Sequence, residues 1–209
     1  TLLLNLKTAR FDPELLDLFG VPASILPEIR DSDAAFGLTD QALVGAEIPI
    51  TGILGDQQAS LYGQGGWEAG VVKATYGTGI FILTNTLEKI RNYEKLITTI
   101  AWKADGVVNY ALEGSVFMGG AAIQWLRDNL KLIDNAADTE AMAESVSDNE
   151  GVYFVPAFQG LGAPYWDPNA RGTLIGLGRK ADPNALVRPV LEALAYQARA
   201  IHAQMKAEA

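Results

Sequence analysis

The 209-residue sequence contains no cysteine and only one histidine, His202. Without cysteine the chain has no disulfides, no thiolate nucleophile and no metal site built on cysteine ligands. A single histidine also excludes a histidine-rich metal centre. No side chain near His202 in the sequence completes a catalytic pair with it, so catalysis by this residue is not expected.

Basic residues are scarce as well. The 16 Lys and Arg residues face 25 Asp and Glu residues, and the formal net charge is −9. Phosphate-rich partners require clustered Lys and Arg, so we predict no nucleic-acid partner. No apolar run approaches the ~20 residues that span a bilayer, and no signal peptide is recognisable, so we predict no membrane insertion and a cytoplasmic location.

What is present is the composition of an ordinary globular domain, with 49% hydrophobic and 20% charged residues. A chain of this length can bury roughly 70% of its unfolded surface, enough for a core. The sequence begins with Thr1 rather than Met and stops at Ala209, just after the last predicted helix. A mixed α/β layer would continue into another strand there, so we expect the chain to be part of a longer protein.

Hydrophobic periodicity and turn residues predict strands followed by helix, strand and helix, the order of a mixed α/β layer. Pro189 falls inside the last helix and is expected to kink it or remove a bond. Residues 21–47 are expected to form an irregular connector. The predicted helices are 13–19, 119–133, 139–147 and a last one from Pro183, and the predicted strands are 48–54, 71–75, 80–84, 96–102, 107–112 and 152–158.

Asp56 lies just past the predicted apolar strand 48–54, at the end of a strand where α/β sheets bind ligands. A carboxylate there can accept a proton from a substrate hydroxyl as a general base. The alternative is an aspartate that caps a turn, with its side chain bonded to nearby backbone, which is the commoner role at such positions. Gln57 and Gln58 can hydrogen-bond substrate hydroxyls or face solvent.

Two glycine-rich segments are candidate phosphate sites. Gly77-Thr78-Gly79 joins two predicted strands, and successive backbone N–H groups in such a turn can hold an anion, with the Thr78 hydroxyl as one more donor. Gly119-Gly120 opens a predicted helix, whose free N–H groups and positive dipole end favour phosphate. The alternative for both is structural, namely an ordinary turn and close helix–sheet packing.

The aromatic residues of interest are interpreted first as core residues or loop anchors. They are Phe81, Trp125, Tyr165 and Trp166.

Taken together, four segments resemble the glycerol kinase branch of the FGGY family of carbohydrate kinases. The first contains Gly55-Asp56-Gln57-Gln58, and the second contains Thr75-Tyr76-Gly77-Thr78-Gly79 followed by Phe81. The full segments are residues 50–64, 74–86, 109–128 and 152–172. The resemblance extends from the N-terminus to the end of the chain.

The resemblance implies an α/β protein with the actin-like ATPase, ribonuclease H-like fold. In this family ATP and substrate bind in a cleft between two domains. Residues 1–50 are then the end of the first domain and its connector, and residues 51–209 are an incomplete second domain. The substrate-binding Arg, Glu and Tyr of the family's first domain have no counterpart in this chain.

The implied activity is ATP-dependent phosphorylation of glycerol with Mg²⁺, in a protein that forms homo-oligomers. Asp56 is implied as the general base, while Gln57 binds the glycerol hydroxyls and Phe81 packs on the carbon chain. The implied nucleotide-binding residues are Thr78, Gly120 and Gln124. No metal-ligating residue is assigned in this chain, and the isolated chain is expected to be inactive.

Some positions depart from the family pattern. Glu47 occupies the place where some bacterial members bind fructose bisphosphate through an arginine, and the connector contains no histidine for phosphorylation. Neither form of regulation is therefore expected. Ala185 and Pro189 also differ from the family pattern in the last helix.

Two alternatives remain at this point. The chain could belong to another FGGY kinase that acts on a pentulose or another polyol, or it could be a non-catalytic module that binds nucleotide or supports oligomer contacts.

Overall fold

The computed structural model describes residues 2–179 and 181–208, except for the side chain of Glu208. The expectation of a longer protein rests partly on Thr1 and Ala209. Both residues lie outside the described part of the chain. The helices are α1 Pro13–Phe19, α2 Gln41–Val44, α3 Asp56–Gly63, α4 Gly120–Asp128, α5 Asp138–Glu144 and α6 Pro183–Glu208. The strands are β1 Leu4–Asn5, β2 Arg10–Phe11, β3 Gly37–Leu38, β4 Pro49–Ile50, β5 Val72–Tyr76, β6 Ile80–Leu87, β7 Ile97–Ala104, β8 Val107–Val116, β9 Tyr153–Val155 and β10 Thr173–Ile175.

The largest sheet contains four strands in the order β5-β6-β8-β7. The predicted hairpin is confirmed, because β7 and β8 are joined by Asp105-Gly106, and both residues have positive φ angles of 49° and 78°. A two-residue turn with positive φ at both positions matches the twist of the strands, and Asp-Gly is a preferred pair for it. Three smaller two-stranded sheets pair β1 with β2, β3 with β4 and β9 with β10.

Strand β6 is an interior strand of this sheet and is buried on both faces. Ile82, Leu83 and Asn85 are each at most 3% exposed, although neighbouring residues in a strand point to opposite faces. Strands covered on both sides carry continuous apolar runs rather than alternating ones. This burial explains why residues 80–84 could be predicted as a strand from an unbroken apolar segment.

A helical core forms where α4 and α6 pack with β9. Leu126 of α4, Phe154 of β9 and Val187 and Val190 of α6 are all buried in one cluster. The helix α6 begins as predicted at Pro183, and Asp182 accepts a hydrogen bond from the Ala185 N–H at 2.8 Å. Pro189 is buried within the helix, which continues through it to Glu208, so the proline removes one N–H donor without ending the helix.

The first helix also has the predicted signals at its ends. Asp12 accepts from the Glu14 N–H at 3.0 Å and receives the Asn5 amide at 2.8 Å, while Gly20 ends the helix with φ 64°. Such an N-terminal acceptor and a left-handed glycine satisfy the unpaired backbone groups at helix ends. The expected apolar face is not buried in this helix, since Leu18 is 75% exposed.

Two predicted elements differ from the structure. Residues 48–54 were expected to form a buried strand, but only Pro49–Ile50 is a strand, it pairs with the two-residue β3, and Ile53 is 55% exposed. An apolar segment becomes a buried strand only where a sheet and a second layer are available to cover it. The helix predicted over 119–133 ends at Asp128, and Lys131 has φ 54°, so Ile133 reaches the core from the segment after the helix.

The remaining predictions agree in type and differ at the boundaries. The acidic helix predicted at 139–147 is α5, Asp138–Glu144, and the strand predicted at 152–158 is β9, Tyr153–Val155. The strands β1, β2, β3 and β10 and the helix α2 were not predicted from the sequence. Of these, β3 and α2 lie within the segment 21–47 that was expected to be irregular.

The described residues divide into two compact units. The first unit contains the described part of residues 1–71 together with 84–92 and 98–112, and the second contains residues 72–83, 93–97 and the described part of 113–209. Among the helices that the structure describes, none has the length and apolar character to cross a membrane.

Candidate functional site

Asp56 is the first residue of α3 in the first unit. The helix follows Gly55, which adopts an extended conformation with φ −63° and ψ 152°. The Asp56 carboxylate is exposed and its Oδ1 accepts from the Gln57 N–H at 2.8 Å. The local backbone bond expected of a capping aspartate is thus formed. The side chain also remains accessible to a substrate, because a carboxylate has further lone pairs for another donor.

Gln57 and Gln58 follow Asp56 on the same helix and are half-buried. Neither side chain faces solvent fully, which was one of the two expectations for them. Leu61, one turn further on, is completely buried and fixes the side of the helix that faces the protein.

The candidate phosphate segments come together in the second unit. The Gly119 N–H donates to the Thr78 carbonyl at 2.7 Å, and the Gly120 N–H donates to the Gly77 carbonyl at 2.7 Å. The Ala121 N–H also donates to the Thr78 carbonyl, at 3.2 Å. Three backbone hydrogen bonds therefore join the start of α4 to the turn between β5 and β6.

These bonds change how the helix start must be interpreted. Backbone N–H groups of a first helical turn bind an anion only when they lack an internal partner. Here the N–H groups of Gly119, Gly120 and Ala121 already donate to carbonyl oxygens. The Thr78 side chain is exposed, and its hydroxyl can donate a hydrogen bond.

Glycine is required at this junction for steric reasons. A Cβ on Gly119 would lie 2.8 Å from the carbonyl group of Gly79, and one on Gly120 would lie 2.9 Å from the Gly77 oxygen. A Cβ on Gly79 would lie 2.6 Å from the Val116 oxygen. The close-packing interpretation of Gly119-Gly120 is therefore supported by the geometry, and it brings the Thr78 side chain to the N-terminal end of α4.

A pocket of about 350 Å³ opens beside this junction. Thr78 and Gln124, two of the three predicted nucleotide-binding residues, both line it, whereas Gly120 and Phe81 do not. Gln124 is exposed on α4, one turn after Gly120. The full lining is Thr78, Phe117, Met118, Ala121, Gln124, Trp125, Asp128, Asn129, Phe158 and Gln159.

Aromatic rings form one side of the pocket. Trp125 stacks on Phe154 with ring centroids 5.6 Å apart and an interplanar angle of 9°, and it contacts Phe158 at 4.9 Å. Trp125 and Phe158 both reach the pocket, so the core aromatic predicted at position 125 also has a surface role. Apolar walls with a few polar groups are typical of small-molecule sites.

The polar groups of the pocket are amides, a hydroxyl and one carboxylate. Asp128 is held by Arg127 through two bonds of 2.7 and 2.9 Å, and this side-chain hydrogen bond lowers the pKa of Asp128 below its usual value. Among the lining residues that the structure describes, none is Lys or Arg. The pocket thus suits an uncharged portion of a ligand better than a phosphate group.

Several of these lining residues were not predicted from the sequence. Asn129 and Gln159 come from the end of α4 and from the loop after β9, two segments far apart along the chain. In the sequence, Asn129 directly follows Asp128 and Gln159 directly follows Phe158, and this adjacency is the signal that could have indicated them. Proximity in space depends on how α4 and the loop fold, so the sequence does not specify it.

The other singled-out residues lie elsewhere. Phe81 is half-buried in β6, between the buried Ile80 and Ile82. Trp166 anchors its loop as predicted, because its indole N–H donates to the Lys95 carbonyl at 2.9 Å, while Tyr165 is 57% exposed and is not a core residue. His202 is exposed on α6.

Known proteins resemble the whole chain. A glycerol kinase of Thermococcus gammatolerans is 55% identical over 206 residues, which cover 99% of this chain and 42% of that protein. The crystal structure of Plasmodium falciparum glycerol kinase with ADP superimposes with a TM-score of 0.86 at 38% identity, over 100% of this chain and 42% of that one. The crystal structure of xylulose kinase from Rhodospirillum rubrum gives 0.79 at 25% identity, over 99% and 42%.

This chain thus spans 42% of the length of the curated relative. Residues 72–209 match the C-terminal domain of the FGGY family of carbohydrate kinases, and residues 1–63 match its N-terminal domain. The predicted actin-like α/β fold is confirmed by the structural neighbours, which are carbohydrate kinases of this type. The chain belongs to the FGGY family of carbohydrate kinases.

Proposed function

We propose that the intact protein phosphorylates glycerol with ATP to give glycerol 3-phosphate. The observation that carries this proposal is the 55% identity to a curated glycerol kinase along 99% of this chain. The pocket at Thr78 and Gln124 supports it, because both residues belong to the segments that resemble the family's nucleotide-binding residues. We also propose that residues 1–50 belong to the first family domain and its connector, and residues 51–209 to the second.

In this mechanism Asp56 acts as the general base. Its exposed carboxylate accepts the proton of the attacking glycerol hydroxyl while the oxygen forms a bond to the γ-phosphorus of ATP. The bond between that phosphorus and the β–γ bridging oxygen breaks, and ADP leaves with the electron pair. Phosphoryl transfer depends on positioning and charge neutralisation more than on covalent steps by the protein. Gln57 and Phe81 are assigned to the glycerol hydroxyls and carbon chain.

The nucleotide is assigned to the second unit. The Thr78 hydroxyl is the assigned phosphate contact, and the Gln124 amide is a hydrogen-bonding group for the nucleoside. Gly120 contributes through its missing side chain, which lets α4 begin against the Gly77 carbonyl. The aromatic wall with Trp125 and Phe158 supplies apolar contact area.

Mg²⁺ is the ion that kinases of this kind use with ATP. The described residues contain no group of three or more His, Cys, Asp or Glu side chains placed to hold a metal ion. Mg²⁺ keeps several waters and binds through substrate phosphates with one or two carboxylates, and it neutralises phosphate charge when bound.

The alternative function is phosphorylation of a sugar such as a pentulose in place of glycerol. The observation in its favour is the superposition on a xylulose kinase with a TM-score of 0.79. A substrate panel on the intact protein decides between the two. We expect the kcat/KM for glycerol to exceed that for xylulose or ribulose by at least ~100-fold, about 2.7 kcal/mol of transition-state discrimination. Equal rates on glycerol and a pentulose would overturn the glycerol assignment.

The isolated 209-residue chain is proposed to bind MgADP weakly and to have no kinase activity, because it spans only 42% of its relative. Titration with MgADP tests this, and tight binding would favour a self-sufficient nucleotide-binding module instead.

An ATP-consuming enzyme works where ATP is found, which supports a cytoplasmic location. The homo-oligomer that the family resemblance implies is also proposed, and sedimentation of the intact protein tests it.

A further inference from the structure

Asp56 begins the helix α3, and the opposite, C-terminal end of this helix is packed against the rest of the first unit. Leu61, near the C-terminus of α3, is completely buried, and its carbonyl accepts the Gly66 N–H at 2.9 Å. A Cβ on Gly66 would lie 2.4 Å from the Leu61 Cδ1, so the segment after the helix packs tightly on it. Asp56, at the N-terminal end, is exposed.

Asn85 of β6 holds the segment after α3 through its side-chain amide and its backbone carbonyl. Its Nδ2 donates to the Gly66 carbonyl at 2.9 Å and to the Trp67 carbonyl at 3.3 Å. Its Oδ1 accepts the Leu87 N–H at 2.7 Å, and its own carbonyl accepts the Gly70 N–H at 3.2 Å. The residue is 1% exposed, and a fully satisfied buried amide fixes its partners in one arrangement.

Aromatic contacts hold the same end of the helix. The ring of Tyr62 meets Trp102 edge-on, with centroids 5.2 Å apart at 90°, and lies 5.9 Å from the ring of Trp67. Trp67 is therefore held twice, by its carbonyl through Asn85 and by its ring through Tyr62. The N-terminal residue before the helix, Gly55, offers no side chain to hold Asp56 in place.

We propose that Asn85 is a positioning residue that sets the location of the Asp56 carboxylate by fixing the segment after α3. This inference rests on the proposed function, in which Asp56 is the general base. The helix of eight residues is about 12 Å long and moves as a rigid rod, so a displacement of the anchored end is transmitted to Asp56. A misplacement of about 1 Å of a reacting group can reduce a rate ~100-fold.

The test is the substitution Asn85→Asp in the intact protein. The shape and the acceptor for the Leu87 N–H are kept, but both donors are lost and a carboxylate is placed against the carbonyl oxygens of Gly66 and Trp67. We expect kcat to fall about 10–100-fold, with the KM for MgATP within about twofold of wild type, because the assigned nucleotide residues lie in the other unit. Asn92→Asp is the matched control at an exposed position and should leave both values unchanged.

A second variant covers the case in which Asn85→Asp does not fold. Tyr62→Leu removes the ring contacts of the same helix end from a residue that is 47% exposed, and we expect a smaller fall in kcat with the same unchanged KM for MgATP. A wild-type kcat in folded Asn85→Asp or in Tyr62→Leu would overturn the proposal. So would parallel loss of kcat and nucleotide affinity in both, since that is the result of a general structural defect.

Hydrogen exchange separates this inference from the proposed function. We expect the amides of residues 59–63 to exchange at least ~10-fold faster in Asn85→Asp than in Asn92→Asp, whatever the substrate of the enzyme. If the wild-type protein does not phosphorylate glycerol, the proposed function is wrong. If Asp56→Asn is fully active, the proposed base role of Asp56 is wrong. Unchanged exchange in α3 would instead show that Asn85 does not anchor the helix.

Discussion

The N–H of Gly120 donates to the carbonyl oxygen of Gly77 at 2.7 Å, which joins the first residue of α4 to the turn between β5 and β6. The two backbones can approach this closely because Gly120 has no side chain. A Cβ on Gly120 would lie 2.9 Å from the Gly77 oxygen. The same junction brings Thr78 and Gln124 to one pocket. The glycines at this position therefore shape the candidate nucleotide site through packing.

Gly119→Ala is expected to destabilise the protein by about 1–3 kcal/mol, the usual range for overpacking. The added Cβ would lie 2.8 Å from the backbone of Gly79, which cannot move aside as a flexible side chain would. Urea denaturation measures the change in the free energy of unfolding. The control is Gly178→Ala, where nothing lies within 4 Å of the added atom, and equal stability of the two variants would contradict the packing argument.

Asp56→Asn is expected to lower kcat by about 10²–10⁴ in the intact protein, because an amide cannot accept the proton of the glycerol hydroxyl. The KM for MgATP should change less than about twofold. Asp33→Asn, at an exposed position of the same unit, is the matched control. Its kcat should stay within about twofold of the wild-type kcat. Near-normal turnover of Asp56→Asn would remove this residue from the base role and leave the backbone bond to Gln57 as its function.

Gln124→Ala is expected to raise the KM for MgATP about fivefold, corresponding to the ~1 kcal/mol net value of one hydrogen bond. The kcat should change little, because the side chain is assigned to the nucleoside and not to the reacting groups. Steady-state kinetics with varied ATP measure both values. Gln41→Ala, an exposed glutamine on α2, is the control, and an unchanged KM for Gln124→Ala would contradict the pocket assignment.

Stability at acid pH should depend on Asp12. The hydrogen bond from the Asn5 side chain, and after it the one from the Glu14 N–H, lowers the pKa of Asp12 below the usual value for an aspartate. A carboxyl group whose pKa is lowered by folding stabilises the folded state above the unfolded pKa, and that contribution is lost as the pH falls through the folded pKa.

The stability of wild type relative to Asp12→Asn should therefore fall as the pH is lowered from 5 to about 2, since the amide caps the helix at every pH. Denaturation at a series of pH values measures this difference. A difference that stays constant across the range would contradict the role of the ionised cap. Asp17→Asn, on the same helix, provides the comparison for the charge change alone.

Local chemistry made much of the fold predictable. Asp12-Pro13 and Gly20 define the ends of α1, and Asp105-Gly106 defines the β7–β8 hairpin, because each depends on the backbone preferences of a few adjacent residues. The predictions failed where burial depends on distant segments. The apolar residues 48–54 form only a two-residue strand, since the strand beside them, β3, also has two residues.

The candidate site divides in the same way. The sequence identified Thr78 and Gln124 through a family resemblance, and the structure shows that both line one pocket. The sequence did not identify Asn129 or Gln159, which join that pocket from other segments. The roles of Asp56, Gln57 and Phe81 remain predictions that the proposed kinetics test.

By itself the sequence determined the order of the main elements, through hydrophobic periodicity, and the family, through four segments that resemble it. It names Asp56 as the candidate base only through that resemblance. Only the tertiary structure decided how the glycines act. It showed that the N–H groups at the start of α4 donate to Gly77 and Thr78 and are not free to bind phosphate. It also showed that Asn85 holds the segment after the Asp56 helix. Hydrogen bonds between residues far apart in sequence exist only once packing has brought their partners within about 3 Å, and no local pattern encodes that approach.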